Sequence, residues 1–175
     1  MTPEFSRIID IRHMEDKPVT VTASAEEAKA LAKRFLLVAV NELEATVALT
    51  RDGAVVNAKG RLKADFVQSC AVSGEDLPMK VDEPLEFRFV PVTSLEAEDL
   101  SADQEIEITG DDCDEIEYTG ERFDLGEALA QSLGVAIDPF ATGPDANRVR
   151  QESGLLGEDK SGPFAALAAL KNPKS

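Results

Sequence analysis

Two turn signals divide residues 46–92 into three stretches of alternating apolar and polar side chains, and this pattern constrains the fold most strongly. The Asp-Gly pair at 52–53 is typical of a tight β-hairpin, and the Ser-Gly-Glu-Asp run at 73–76 is a second turn. In the middle stretch, charged residues alternate with apolar ones, as in a strand with one buried and one solvated face. Gly60 within it predicts a β-bulge or a bend. Short connections between such strands predict an antiparallel sheet.

Two amphipathic stretches with N-terminal capping signals predict helices on either side of these strands. Ser24 is followed three residues later by Glu27, and Asp124 is followed in the same way by Glu127, so each pair predicts a capping box. The expected fold is α+β, with a mainly antiparallel sheet, one helix in the N-terminal half and one C-terminal helix. Partial closure of the sheet into a barrel is left open. Further short strands are expected at 5–11, 18–24 and 105–109.

A change of composition near residue 141 predicts the domain boundary. Residues 1–140 are expected to form the α+β domain and residues 141–175 a flexible tail, because large apolar side chains become scarce there. The tail has one apolar island at 162–171, with Phe164, Leu167 and Leu170 at helical spacing. A helix this short is unstable alone in water, so we predict that it docks on the domain or on a partner.

Negative charge is concentrated in one part of the chain. The net charge is -16, and residues 96–124 contain 13 acids and one base, Arg122. Such a segment repels phosphate backbones and attracts basic partners. The usual interpretation of such a charge run is a solvated loop that keeps the protein soluble. The chain has neither an apolar run that could span a membrane nor a secretory signal at its beginning, so we expect a soluble, cytoplasmic protein without a membrane partner.

Few residues could support catalysis or bind a metal. His13 is the only histidine, and Cys70 and Cys113 are the only cysteines, at spacings that fit neither a catalytic triad nor a structural zinc site. We therefore predict a binding protein that is not an enzyme and that uses no cofactor, metal or small-molecule substrate. Cys70 is interpreted as a buried side chain that closes a hairpin, and a reactive thiol is the alternative.

Three stretches together resemble the YceD family of large ribosomal RNA subunit accumulation proteins, in its proteobacterial branch. They are "GRLKADFVQSCAVSGEDLPMKVDEPLEFRFVP", "FDLGEALAQSLGVAIDPF" and the terminal "GPFAALAALK". Many family members have Cys-x-x-Cys where this chain has Cys70 and Ser73, which puts a zinc knuckle in doubt here. The positions that match the family pattern are Gly60, Gln68, Cys70, Phe89, Val90, Pro91, Asp124, Leu125, Gly126 and Glu127.

The resemblance implies a bacterial ribosome-biogenesis factor that supports the accumulation of 23S rRNA and is linked to ribosomal protein L32. Two binding routes follow: a basic protein such as L32 through residues 96–124, or rRNA itself. An acidic nucleic-acid mimic or inhibitor that occupies a basic groove of a partner is the alternative function, and an enzyme that uses Cys70 or His13 is a third. The Asp124–Glu127 motif either caps a helix and permits close packing or contacts a partner. The candidate RNA contacts are Arg61, Lys63, Lys80 and Arg88.

Overall fold

The computed structural model describes residues 3–15, 17–92 and 114–154. Contacts divide the chain into two compact units. The main unit comprises residues 1–67 and 78–137, and the small unit comprises residues 68–77 and 138–175. This division differs from the predicted boundary at residue 140, because a turn from the middle of the chain groups with the C-terminal segment.

The described strands form a five-stranded sheet and a two-stranded sheet. The order of the larger sheet is β2-β3-β4-β5-β6, and β1 pairs with β7 in the smaller one. Antiparallel pairs dominate, as predicted for the α+β class, but β6 joins β5 in parallel. The larger sheet is open, with β2 and β6 as its edges, so the described strands do not close into a barrel. The elements are β1 Ile8–Asp10, a 3-10 turn Ile11–His13, β2 Val19–Thr22, α1 Ala25–Arg34, β3 Ala39–Asp52, β4 Val55–Ser69, β5 Asp76–Pro91, β6 Asp114–Tyr118, β7 Arg122–Asp124, α2 Leu125–Ala136 and α3 Ala146–Glu152.

Local signals in the sequence account for the first helix and the first hairpin. The Ser24 hydroxyl accepts a hydrogen bond from Glu27 N, and the Glu27 carboxylate accepts one from Ser24 N at 2.8 Å, so the predicted capping box begins α1. Gly53, at φ 62°, lies in the turn between β3 and β4, as the Asp-Gly signal predicts.

The predicted bulge at Gly60 is wrong. Gly60 lies directly opposite Val47 in an uninterrupted part of the β3–β4 ladder, and the irregularity falls instead between Val40 and Glu42. A Cβ atom at position 60 would collide with the Thr46 carbonyl oxygen and lie 2.8 Å from Val47 Cα. Glycine therefore allows the two strand backbones to approach each other closely here.

One apolar core fills the main unit. Alternate residues of β3, β4 and β5 face it, and α1 contributes Leu31 while α2 contributes Leu125, Leu129 and Leu133, all four fully buried. The opposite face of the sheet is exposed and carries charged side chains, so the period-two pattern of the sequence sets the orientation of each strand.

Several predictions fall on residues that the structure does not describe. The expected strand at 105–109, most of the acidic segment 96–124, Cys113 and the docking motif Phe164, Leu167 and Leu170 lie outside the described residues. The early part of the predicted tail does contain structure, because α3 spans Ala146–Glu152. The sequence interpretation missed this helix, which is only seven residues long.

Candidate functional site

The Asp124–Glu127 motif lies where the N-terminal segment crosses the start of α2. Asp124 caps the helix by accepting a hydrogen bond from Glu127 N at 3.2 Å. The same carboxylate accepts bonds from Arg7 N at 2.7 Å and from the Ser6 hydroxyl. One side chain therefore caps α2 and anchors a segment that is more than a hundred residues away in sequence.

Gly126 allows the N-terminal segment to pass directly over the first turn of α2. A Cβ atom there would lie 2.7 Å from Arg7 N and 2.8 Å from the Phe5 carbonyl oxygen. Leu125 N donates to the Arg7 carbonyl oxygen at 3.0 Å, while the Leu125 side chain is fully buried. The predicted close approach at Gly126 is confirmed.

The spacing predicts that Glu127 completes a capping box with Asp124, and this prediction is wrong. The two carboxylate oxygens of Glu127 instead accept hydrogen bonds from the Arg34 guanidinium of α1 at 2.7 and 2.8 Å. This paired geometry lowers the pKa of Glu127, with burial opposing the shift, and raises the pKa of Arg34. The ion pair joins the end of α1 to the start of α2.

A second ion pair joins the N-terminal segment to the start of α1. The Arg7 guanidinium donates to both Glu27 oxygens, at 2.6 and 3.0 Å. Hydrogen bonds from Arg7, with smaller contributions from Ser24, lower the pKa of Glu27 to about 2 against the effect of burial. Asp124, Glu127 and Glu27 thus each have partners, and we define these three residues with Arg7 and Arg34 as the paired cluster. The Asp124–Glu127 motif is structural in this geometry.

The four candidate RNA contacts lie on the exposed face of the five-stranded sheet, on β4 and β5. Arg61 pairs with Asp82, Lys80 with Asp65 at 3.4 Å, and Arg88 with Glu115 at 3.1 Å. Lys63 lies opposite Glu44 in the β3–β4 register. The structure brings these cations to one face but surrounds them with carboxylates, which weakens the positive potential that a phosphate backbone would need.

A groove in the main unit has the opposite electrostatic character. It has a volume of about 450 Å³ and lies between the middle of β5, the start of β6 and one side of α2. Its described lining includes four carboxylates and an apolar base, and it contains no Lys or Arg. The sequence interpretation missed this groove, because the groove depends on β6 and its parallel pairing with β5. Its lining acids are Glu83, Glu86, Asp114 and Glu115.

Cys70 lies in the turn between β4 and β5, within the small unit. It is 4% exposed, so the predicted buried position is confirmed. Its Sγ atom accepts hydrogen bonds from the backbone N–H groups of Ser73 and Gly143, both at 3.3 Å, and of Val72 at 3.5 Å. The turn is closed by Cys70 N, which donates to the Glu75 carbonyl oxygen at 2.8 Å.

These donors make Cys70 an unusually acidic thiol. Hydrogen bonds from the Ser73 side chain, then from the backbone of Ser73, Gly143 and Val72, lower the pKa of Cys70 to about 6, while burial opposes the shift. No Lys, Arg or His closely follows Cys70 in the sequence, so the sequence pattern does not predict a lowered pKa. The hydrogen-bond donors become apparent only in the fold, and one of them lies 73 positions away.

Gln68, another family-motif position, also holds the small unit together. Its Nε2 donates to the Asp138 carbonyl oxygen at 2.8 Å. Its Oε1 is buried and has no hydrogen-bond partner among the described residues. Gln68 therefore links the end of β4 to the chain that follows α2.

Among the described residues, neither His13 nor the acidic and cysteine side chains form a group that could act as a catalytic or metal site. The His13 side chain is exposed, and its Nδ1 lies 3.5 Å from Asp10 Oδ1. Within residues 3–15, 17–92 and 114–154, no three His, Cys, Asp or Glu side chains group as metal ligands would.

Comparisons of the chain with protein-family models, with curated proteins and with solved structures gave no match. Among the helices that the structure describes, none has the length and apolar character needed to cross a membrane.

Proposed function

We propose that this protein is a non-enzymatic ribosome-biogenesis factor that supports the accumulation of 23S rRNA by binding a basic ribosomal protein such as L32. The family-like stretches of the sequence suggest the process, and the charge distribution of the described residues suggests the kind of partner. The proposed place of action is the bacterial cytoplasm.

The observation that carries the choice of a protein partner is the contrast between two surfaces. On the exposed face of the sheet, Arg61, Lys80 and Arg88 each pair with a carboxylate. In the groove, no described lining residue is Lys or Arg, and two of the four lining acids, Glu83 and Asp114, form no ion pair within the described part of the chain. A basic protein gains electrostatic attraction from such a surface, whereas RNA is repelled by it.

Binding measurements with two purified partners test the choice. Fluorescently labelled protein is titrated with L32 and, separately, with a large-subunit rRNA fragment over a series of salt concentrations. We expect L32 to bind with an affinity that falls as salt rises, and rRNA to bind far more weakly. A variant with Gln at positions 61, 63, 80 and 88 should retain L32 binding.

Tight rRNA binding that this four-site variant loses would overturn the protein route in favour of direct RNA contact. Binding to neither partner at low salt would overturn both routes. The process itself is tested by deleting the gene in its native bacterium and measuring 23S relative to 16S rRNA. An unchanged ratio would contradict a role in 23S rRNA accumulation.

A further inference from the structure

The base of the acidic groove is built from core side chains that reach its floor. Leu62 of β4, Leu85 and Phe87 of β5 and Ala128 of α2 line it. These residues are mostly buried, so the groove is a shallow opening over the main core. An apolar side chain of a partner could extend that core by removing its own surface from water.

Two of the four lining acids have no ion-pair partner among the described residues. Glu86 pairs with Lys59 at 2.6 Å and Glu115 pairs with Arg88 at 3.1 Å. Glu83 and Asp114 form no ion pair within the described part of the chain. No described residue of the lining is Lys or Arg, so the groove mouth is a region of negative potential.

An exposed apolar side chain stands beside these acids. Val135 of α2 lines the groove and is 88% exposed, although neighbouring helix positions bury Leu129 and Leu133. Single exposed apolar residues are common on proteins, but this one adjoins an apolar floor and an acidic rim. That combination matches the central apolar contact and charged rim of protein–protein interfaces.

We propose that this groove binds a cationic protein segment with at least one large apolar side chain, which enters the groove while flanking Lys or Arg side chains meet the rim. This inference rests on the proposed function and names the surface that the basic partner contacts. Charge complementarity selects this occupant, because the acidic rim repels both the phosphates of RNA and a second copy of this acidic chain.

Two short synthetic peptides test whether the groove needs both features. One contains Lys and Leu, and the other has Ser in place of every Leu at the same charge. We expect the Lys/Leu peptide to bind the full-length protein and the Lys/Ser peptide to bind at least about tenfold more weakly, because it cannot bury apolar surface. Equal binding of the two peptides would reduce the effect to general attraction between opposite charges and overturn the proposal.

A variant in the groove and a matched variant outside it test whether the peptide binds at the groove. Val135→Lys should weaken Lys/Leu peptide binding by about tenfold, because it removes an apolar contact and adds repulsion. Leu36→Lys is the control, since Leu36 is 90% exposed and lies outside the groove. Both variants should unfold at the wild-type temperature, because both side chains are solvated in the wild type.

The role of the rim is tested with two double variants that each remove two negative charges, one at the rim and one elsewhere. The double variant Glu83→Gln, Asp114→Asn should bind the Lys/Leu peptide about fivefold more weakly and with a shallower salt dependence. Its control is Glu26→Gln, Asp52→Asn, which removes the same charge outside the groove. If both double variants lose affinity equally, the rim is not the binding surface.

The same variants separate this inference from the proposed function. If L32 binds the wild type and Val135→Lys equally well, the groove proposal is wrong and the proposed partner stands. If the Lys/Leu peptide binds at the groove but L32 does not bind at all, the groove proposal stands and the proposed partner is wrong.

Discussion

The carboxylates of the paired cluster and those of the groove rim have the same chemistry but opposite surroundings. Glu127 accepts two bonds from Arg34, and Asp124 accepts bonds from three groups. Glu83 and Asp114, at the rim, form no ion pair with any described residue. The first group holds separate elements together, and the second remains available to a partner. Net charge therefore does not reveal which acids a binding partner can use, because tertiary pairing decides it.

The largest expected effect comes from a side chain at Gly126, which would fill the space between α2 and the N-terminal segment that the paired cluster holds together. Gly126→Ala places a methyl group 2.7 Å from Arg7 N, and the backbone there cannot move without breaking the bonds to Asp124. We expect a loss of about 2–3 kcal/mol in the free energy of unfolding, measured by urea denaturation.

Gly134→Ala is the matched control for that change. It lies in the same helix, and its added methyl group would meet the ring of Phe35, a side chain that can rotate. The gain in helix propensity offsets part of that contact, so we expect a change within about 1 kcal/mol. A similar loss for both variants would mean that the backbone contact at Gly126 is no more restrictive than the side-chain contact at Gly134.

A smaller effect should distinguish the two kinds of carboxylate directly. Glu127→Gln keeps the shape of the side chain but removes the charge that Arg34 pairs with, in a site where the two side chains are only 28% and 27% exposed. We expect it to lower the free energy of unfolding by about 1–2 kcal/mol. Glu83→Gln should change it by less than about 0.5 kcal/mol. Equal effects would erase the distinction between paired and available acids.

Cys70 extends the comparison to an anion that is held by hydrogen bonds from Ser73 and from backbone N–H groups. Its pKa falls from an ordinary value of 9.0 to about 6, so between these values the unfolded chain binds more protons than the folded one. The free energy of unfolding should therefore rise from pH 6 to pH 9, with this contribution lost as the pH falls through 6.

Denaturation curves collected between pH 6 and pH 9 check this dependence. Cys70→Ala should show a flatter profile than the wild type, and Cys113→Ala, which retains Cys70, should follow the wild type. Parallel profiles for the wild type and Cys70→Ala would show that the folded thiol titrates in its ordinary range.

Features set by neighbouring residues were predictable from the sequence. The capping box of α1 involves Ser24 and Glu27, three positions apart, and the hairpin after β3 needs only Asp52 and Gly53. The alternation of apolar and polar residues identified the buried face of β4 because a strand has a fixed period of two. The N-cap at Asp124 was predictable for the same reason, because its hydrogen bond reaches only to Glu127, three positions later.

The features that the sequence did not predict depend on long-range pairing. The Glu127 carboxylate turns from the helix cap to Arg34, which is 93 residues away, because a guanidinium with two donors binds a carboxylate more strongly than one backbone N–H does. The groove requires β6 to lie parallel to β5, and no local pattern specifies that pairing. The lowered pKa of Cys70 comes mainly from Ser73, three residues away, and the distant Gly143 adds a smaller contribution.

The pairing of β1 with β7 has a consequence for the order of events during synthesis. Arg7 and Asp124 are 117 residues apart, so the first strand to be made has no partner until nearly the whole main unit exists. At a translation rate of about 5–20 residues per second, that delay is roughly 6–23 s. During this interval Ile9 lacks the strand that pairs with it, so the N-terminal segment reaches its final packing only after the start of α2 has been made.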